Sequence, residues 1–494
     1  MKPFLLGIDI GSSSVKAAII KAETGQIAGS GQSPETEMEI IASRPGWAEQ
    51  DPEMWWQNVK IAIRNSILKA GIKGGEIMAV GISYQMHGLV CVDKNQHVLR
   101  NAIIWCDSRA VETGNKAFEE IGREKCLRHL LNSPGNFTAS KLRWVKNNQP
   151  EIYRQIWKFM LPGDYIAMKL TDKINTTASG LSEGIMWDFE RKTVARFLLD
   201  YYGIDESLLP ELSPTFGIQG EISTAAALET GLNAGTPVCY RAGDQPNNAF
   251  SLGVLNPGEV GATAGTSGVI YGVSDQVKYD LHSRVNTFIH VNNTDIVTRN
   301  GILLCVNGTG ILNSWIRKIA GGYISYSEMN EIAAKVDPGS DRLIILPFGN
   351  GAERMLGNKD PGCSIRGLNF NIHGKHHLFR AAQEGIAFAM YYGMKIMKDL
   401  GVDCTIIRAG RANMFLSPVF CETLANISGA TIELYNTDGA QGAARGAGIG
   451  AGIYKDFSEA FNGLDKVETI TPSSYSEVVT AAYQEWLAAL NKTI

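Results

Sequence analysis

Phe4-Leu-Leu-Gly-Ile-Asp9-Ile-Gly11-Ser12-Ser13-Ser14-Val15-Lys16 is a β-prone run interrupted by one glycine and three serines. Its plan returns in the second half as Val260-Gly-Ala-Thr263-Ala-Gly265-Thr266-Ser267-Gly268-Val269-Ile270-Tyr271. Each segment reads as a β-hairpin whose glycine lets backbone N–H groups approach an anion, while the hydroxyls add donors at the same place. Two such hairpins predict an α/β chain with two related lobes. Gly11, Ser12, Ser13 and Lys16 in one hairpin, with Gly265, Thr266 and Ser267 in the other, suit a clamp on the phosphates of a nucleotide. Only the first hairpin carries an acid, Asp9; Thr263 takes its place in the second. One carboxylate there can steer a Mg²⁺ through water, whereas two facing a polyphosphate would repel it. Either copy alone also reads as an ordinary hairpin. The pairing, with Asp9 two residues before Gly11, favours phosphate. Neither is a Walker loop, since the Gly-Lys-Ser/Thr ending is absent.

At 494 residues the chain is too long for one core. The boundary is expected near residue 245, between the hairpin units, giving domains 1–245 and 246–494. A net charge of −4 with scattered Lys and Arg gives no general attraction to nucleic acid or an anionic membrane. Eight cysteines, at 91, 106, 126, 239, 305, 363, 404 and 421, include no Cys-x-x-Cys pair. They read as reduced core residues of a cytoplasmic protein. Asp9 breaks the first apolar stretch too early for a secretion signal, and no apolar run is long enough to span a bilayer.

Further along, Asp51-Pro52-Glu53 predicts a capped helix ending near Gly71. Residues 376–400 predict a long helix, the Gly/Ala-rich run 440–454 a helix able to lie close to neighbouring backbone, and the stretch from Phe457 helices. Thr236 to Asp244 predicts a strand ending on an acid. In open α/β sheets ligands gather at the carboxyl ends of strands. Asp244 could accept a proton from a hydroxyl attacking phosphorus, with Gln245-Pro246-Asn247-Asn248 as polar neighbours. It could equally cap a turn. In Gln85-Met86-His87-Gly88, His87 could donate to a sugar hydroxyl or serve as a structural hydrogen-bonder. In Trp105-Cys-Asp107-Ser-Arg109, a Trp face with an acid and a base suits a polyol, and an Asp107–Arg109 surface ion pair fits as well. Gly410-Arg411-Ala412-Asn413 could receive an adenosine group, with Arg411 stacking on the base and Asn413 bonding the ribose, or be a plain turn. Glu353-Arg354 reads as a loop ion pair or a lid contact.

Together these segments resemble the FGGY carbohydrate kinases, and most of all their xylulose-phosphorylating members. The resemblance covers nearly the whole chain and is carried by Gly7-Ile-Asp9-Ile-Gly11, Glu49-Gln-Asp-Pro-Glu-x-Trp-Trp56, Gln85-Met-His-Gly88, Trp105-x-Asp-x-Arg109, Phe137-Thr-Ala-Ser-Lys141-Leu-x-Trp144 and Gly265-Thr-Ser-Gly268. It implies two ribonuclease-H-like domains of the actin-type ATPase clan flanking a central cleft, with ATP, Mg²⁺ and a sugar as partners. It implies transfer of the γ-phosphoryl group to a primary hydroxyl of a ketose, D-xylulose first, in a cytoplasmic enzyme that forms a homodimer. Carried over, Asp244 is the base and, with Asp9, the acid toward the metal. Met86, His87, Asp107 and Gln245 face the sugar. Thr266, Gly310, Ser314, Gly410, Arg411 and Asn413 line the nucleotide site.

The chain departs from the family pattern at Gln245, where xylulose-phosphorylating members commonly have Asn, and at Arg408-Ala409-Gly410, usually a glycine triplet. Ser314 stands where glycerol kinases often have Gln, and Gln383 replaces an apolar residue. These departures keep glycerol, ribulose, a ketohexose or an aldonate open as substrate. An ATP-gated binding protein of the same clan is the reading from another class.

Overall fold

The computed structural model describes residues 4–494. The chain divides into two units. One comprises Met1–Gly253, Phe288–Thr294 and Thr437–Leu464, and the other Val254–Thr287, Asp295–Asn436 and Asp465–Ile494. The cut therefore falls at 253/254 rather than near 245, and the first unit recruits two segments from beyond it.

In the first unit, the opening hairpin forms strands β1 (Phe4–Ile10) and β2 (Val15–Lys21), followed by β3 (Ile27–Ser33), β4 (Ile77–Tyr84) and β5 (Pro237–Gly243). They lie side by side in the order β5-β4-β1-β2-β3, with Phe216–Glu221 outside β5. β1 pairs antiparallel with β2 and parallel with β4, and β4 parallel with β5. β1 is apolar along nearly its whole length because both faces are covered. Trp55, Val59 and Ile63 of the helix Pro52–Ala70 pack over one side. That helix starts as its sequence dictates, with the Asp51 carboxylate accepting from the Glu53 N–H and Gly71 closing it in the left-handed region at φ 66°.

The other face carries the helix Gly439–Gly450, whose Ala444 and Ala447 touch Leu5 and Ala79. A Cβ on Gly7 would sit 1.8 Å from the Ala440 carbonyl oxygen, and one on Gly81 2.0 Å from that of Ala443. The close approach expected of this Gly/Ala run is thus real. Its partner, however, is the N-terminal sheet, so a division at 245 would strip that sheet of one of its covering layers.

The second unit repeats the plan with β6 (Glu259–Ala264), β7 (Gly268–Ser274), β8 (Asn300–Val306), β9 (Ile406–Gly410) and β10 (Thr431–Tyr435). The order is β8-β7-β6-β9-β10, again antiparallel within the hairpin and parallel from β6 to β9 to β10. Both units thus carry the 3-2-1-4-5 order of a ribonuclease-H-like sheet. Phe379, Ile386 and Phe388 of the helix Lys375–Asp399 complete the second core against Ile270 and Leu304. The stretch after Phe457 is not all helix: β11 (Lys466–Ile470) pairs antiparallel with β10 before the last helix, Ser476–Asn491. It is mostly exposed, so no apolar periodicity announces it. No helix among the described residues is long and apolar enough to cross a membrane.

Candidate active site

In the first unit, β1, β4 and β5 run parallel, so their carboxyl ends deliver side chains to one edge of the sheet. β1 brings Asp9, whose Oδ1 accepts from the Ser83 hydroxyl of β4 at 2.7 Å. A Cβ on Gly439 would lie 2.5 Å from Asp9 Oδ2, so the backbone of that helix start presses on the carboxylate. Burial raises the Asp9 pKa and the Asp438 charge adds to it, against the pull of Ser83 and of Lys16, which is paired with Asp9 across the hairpin.

β5 brings Asp244. It opens a helix, Asp244–Ser251, rather than the loop that Pro246 suggested; proline is tolerated in a first turn, where its missing N–H is not needed. The pKa of Asp244 is pushed up to about 7, chiefly by burial and then by the charge of Asp9. Gln245 is partly exposed beside it. Asn247 is buried and donates to the Gly439 carbonyl at 2.9 Å, so it holds the helix 439–450 instead of facing a ligand.

β4 runs straight into Gln85-Met86-His87. The Gln85 N–H donates to the Ile10 carbonyl, tying this segment to the first hairpin. His87 sits in the left-handed region at φ 61°. Its Nδ1 lies 2.9 Å from the Glu183 carbonyl. A carbonyl only accepts, so Nδ1 carries the proton and Nε2 is left as an acceptor. Lys141 fixes the backbone here: its Nζ donates to the His87 and Ile104 carbonyls at 2.8 and 3.0 Å. Burial pulls its pKa down to about 7 against the Asp107 charge. Phe137 packs edge-on against the imidazole, centroids 4.8 Å apart.

Asp107 corrects the sequence reading. It is 0% exposed, and its carboxylate accepts from the Ala48 N–H and from Nε and Nη2 of Arg109. The Arg109 guanidinium continues to Glu49 and lies over the Trp47 ring. The outcome is an ion pair, buried rather than on the surface as expected, because the carboxylate is enclosed and its oxygens are committed. The Trp face does remain: Trp105 is half exposed, with Nε1 at 3.5 Å from Ser12 Oγ.

Two neighbours go beyond the site residues expected from the sequence. Gln50 donates to the Ser12 carbonyl at 2.7 Å and accepts from Gln85, linking the hairpin turn to the Met86-His87 segment. Glu183 is 2% exposed beside Tyr84, whose hydroxyl favours its charged form. Burial holds its pKa well above the usual carboxylate range, with the Asp244 charge adding to this.

In the second unit a cavity of about 870 Å³ opens beside the second hairpin, lined among others by Gly265, Thr266, Gly310, Ser314, Tyr326 and Asn413. Gly310 and Ile311 donate their N–H groups to the Gly265 and Thr266 carbonyls at 2.9 and 3.2 Å, which seats the helix Gly310–Ile316 on the hairpin. Tyr326 is a half-exposed ring under the Arg317 guanidinium, and sequence reasoning missed it for want of any motif. Gln383, the departure from family pattern, is buried. It accepts from the Ser417 hydroxyl at 2.6 Å and donates to Asn330 at 2.9 Å, bracing two residues of the cavity wall.

Ser267, Gly410 and Arg411 are not brought into this lining. The Arg411 N–H donates to the Tyr435 carbonyl, and its guanidinium lies 3.7 Å from Glu468 on β11. The unforeseen strand supplies that counter-charge and holds Arg411 over a separate recess with Asn436 and Val467. Neither Gly11 nor Gly265 has positive φ, so their backbone conformation is open to other residues. At Gly268 the need is space, since a Cβ would come 2.7 Å from Thr309 Oγ1.

Among the described residues no three His, Cys, Asp or Glu side chains are grouped to hold a metal by themselves.

Comparison with known proteins agrees with this architecture. The profile of the FGGY family of carbohydrate kinases, N-terminal domain, matches residues 4–251, and that of the C-terminal domain residues 260–453. An L-xylulose/3-keto-L-gulonate kinase of Escherichia coli (strain K12) is 30% identical over 506 residues, covering 99% of this chain and 98% of that protein. A xylulose kinase of the same strain is 29% identical, covering 97% and 96%. The crystal structure of xylulose kinase from Rhodospirillum rubrum superposes with a TM-score of 0.87 at 26% identity, over 99% of this chain and 98% of that one.

Proposed function

Because the chain belongs to the FGGY family of carbohydrate kinases, we propose that it transfers the γ-phosphoryl group of ATP to a primary hydroxyl of an open-chain ketose, D-xylulose first, giving ADP and xylulose 5-phosphate. The observation that carries this reading is Asp244, held at the end of β5 beside Asp9 with its pKa pushed up to about 7. A carboxylate poised near neutrality is matched to taking a proton from a hydroxyl. The new O–P bond forms as the bond from the γ-phosphorus to the bridging oxygen breaks. The electron pair leaves with ADP and the hydroxyl proton moves to Asp244.

Met86 and His87 orient the acceptor, with the unprotonated His87 Nε2 as the acceptor for a sugar hydroxyl. Gln245 and the Trp105 face add to this wall. The cavity beside Gly265 and Thr266 takes the nucleotide, where Tyr326 offers a ring for the base and Asn413 and Ser314 polar contacts. Gly11, Ser12, Ser13 and Lys16 offer donors to phosphate.

Mg²⁺ fits the donor set. Asp9 and Asp244 are oxygen ligands of the kind a hard cation takes, and burial together raises both pKa values. A nearby dication would reverse that shift. When bound it neutralises phosphate charge; Asp9 would hold it through water. The corresponding protein is a cytoplasmic homodimer.

A second reading is favoured by the relative at 30% identity: phosphorylation of L-xylulose or a keto-aldonate. Gln245, where the D-xylulose-type pattern has Asn, points the same way. ADP release on a panel of D-xylulose, L-xylulose, ribulose, glycerol, a ketohexose and an aldonate tests both, reading kcat/KM ratios. D-xylulose leading the panel supports the first reading. A lead by an L-sugar or an aldonate replaces it with the second.

A further inference from the structure

We propose that Glu353 is a positioning residue for nucleotide binding, clamping the turn Asn307–Gly310 that seats the cavity wall on the second hairpin; this rests on reading that cavity as the nucleotide site. Glu353 is 0% exposed, yet its oxygens are spent on backbone. Oε1 and Oε2 lie 2.9 and 3.2 Å from the Asn307 nitrogen; burial pushes the carboxyl's pKa up to about 7, against the pull of the Asn307 and Gly308 N–H groups. Arg354, its neighbour in sequence, donates instead to the Ser283 carbonyl.

The turn has little room to settle elsewhere. Asn307 Nδ2 donates to the Ala352 carbonyl at 2.9 Å. A Cβ on Gly308 would lie 1.6 Å from the Pro347 carbonyl oxygen, and one on Gly310 2.2 Å from that of Gly265. Thr309 Oγ1 donates back to the Val306 carbonyl. The next two N–H groups, Gly310 and Ile311, are the ones given to Gly265 and Thr266. Glu353 is thus one turn removed from the contacts that bring Thr266, Gly310 and Ser314 into one wall. Its own backbone is pinned by the Glu353 N–H to Lys359 carbonyl bond at 2.9 Å. A buried carboxylate is a costly way to hold a turn. Its use here fits a need for an acceptor that answers two adjacent N–H donors that water would not reach.

The experiment uses the full chain and ADP as probe. Calorimetric ADP affinity, KM for the sugar and apo melting temperature are measured for wild type, Glu353→Gln and Glu353→Ala. The amide oxygen of Gln still accepts one N–H, so the expected order of ADP affinity is wild type, Gln, Ala. The Ala variant should bind about tenfold more weakly or worse, with the sugar KM unchanged. If Glu353→Ala does not fold, weaker ADP binding by Glu353→Gln at unchanged sugar KM supports the proposal. Variants that melt lower but bind ADP like wild type would make Glu353 merely structural and overturn it. A wild-type protein that fails to bind ADP overturns the reading of the cavity, and the proposal with it.

Discussion

Replacing Asp244 by Asn is expected to remove turnover and, above about pH 7, to make the fold more stable. The carboxyl titrates at about 7 in the folded chain against its ordinary 3.8, chiefly because burial disfavours the charge. The folded state therefore holds this proton more tightly than the unfolded chain does. Stability is highest below the ordinary value, falls as pH rises through the interval, and levels off above about 7. A gap of roughly three pH units corresponds to at most about 4 kcal/mol at 1.36 kcal/mol per unit. The side chain is partly exposed, so screening reduces this to about 2 kcal/mol. Asn cannot ionise and escapes the penalty. The variant should thus unfold at higher denaturant concentration than wild type near pH 8 and match it near pH 4. Its kcat should fall by roughly 10²–10⁴ with ADP affinity retained, as expected when a general base is removed. Wild-type kcat/KM, which reports the free enzyme before the metal-nucleotide binds, should rise with pH through about 7, because the base must be ionised. Urea titrations at the two pH values and a coupled ADP assay give every quantity needed. Wild-type turnover in Asp244→Asn would refute the base assignment, and a variant less stable than wild type near pH 8 would refute the electrostatic account.

Asp107→Asn should cost about 1–3 kcal/mol of stability by leaving the enclosed Arg109 with Glu49 as its remaining counter-charge, with the sugar KM of the folded fraction unchanged. Lys141→Met frees the His87 carbonyl and should raise the sugar KM about tenfold while ADP affinity holds, as read by steady-state kinetics and calorimetry. Tyr326→Ala should do the reverse, raising the ATP KM by about tenfold through loss of a stacking face and leaving the sugar KM alone. Gly7→Ala drives a Cβ to 1.8 Å from the Ala440 carbonyl oxygen, and a loss above about 3 kcal/mol in thermal or urea melts is expected.

The repeated hairpin made the doubled architecture legible because glycine, hydroxyls and β-prone flanks act locally. The strand to Gly243 and the caps at Asp51 and Gly71 were readable for the same reason. What depends on distant partners was not. Nothing in the run 439–450 says which sheet its small residues will meet, and only Gly7 and Gly81 on the opposing strands complete the fit. Asp107 and Arg109 look alike as ligands or as an ion pair until Ala48 and Glu49 arrive to enclose them. The pairing of Arg411 was not legible because its partner Glu468 lies on an exposed edge strand without apolar pattern. Tyr326 sits in no motif, Gln50 stands within the Glu49–Trp56 segment without any sign of its partners, and Glu353 was visible as a residue without its purpose.

The central claim is the transfer itself, and phosphorus NMR of the full chain with ATP, Mg²⁺ and D-xylulose observes it directly. A sugar-phosphate ester resonance growing in step with ADP, with inorganic phosphate near background, is the predicted result. Growth of ADP and inorganic phosphate alone, with no ester on any sugar tried, would contradict it.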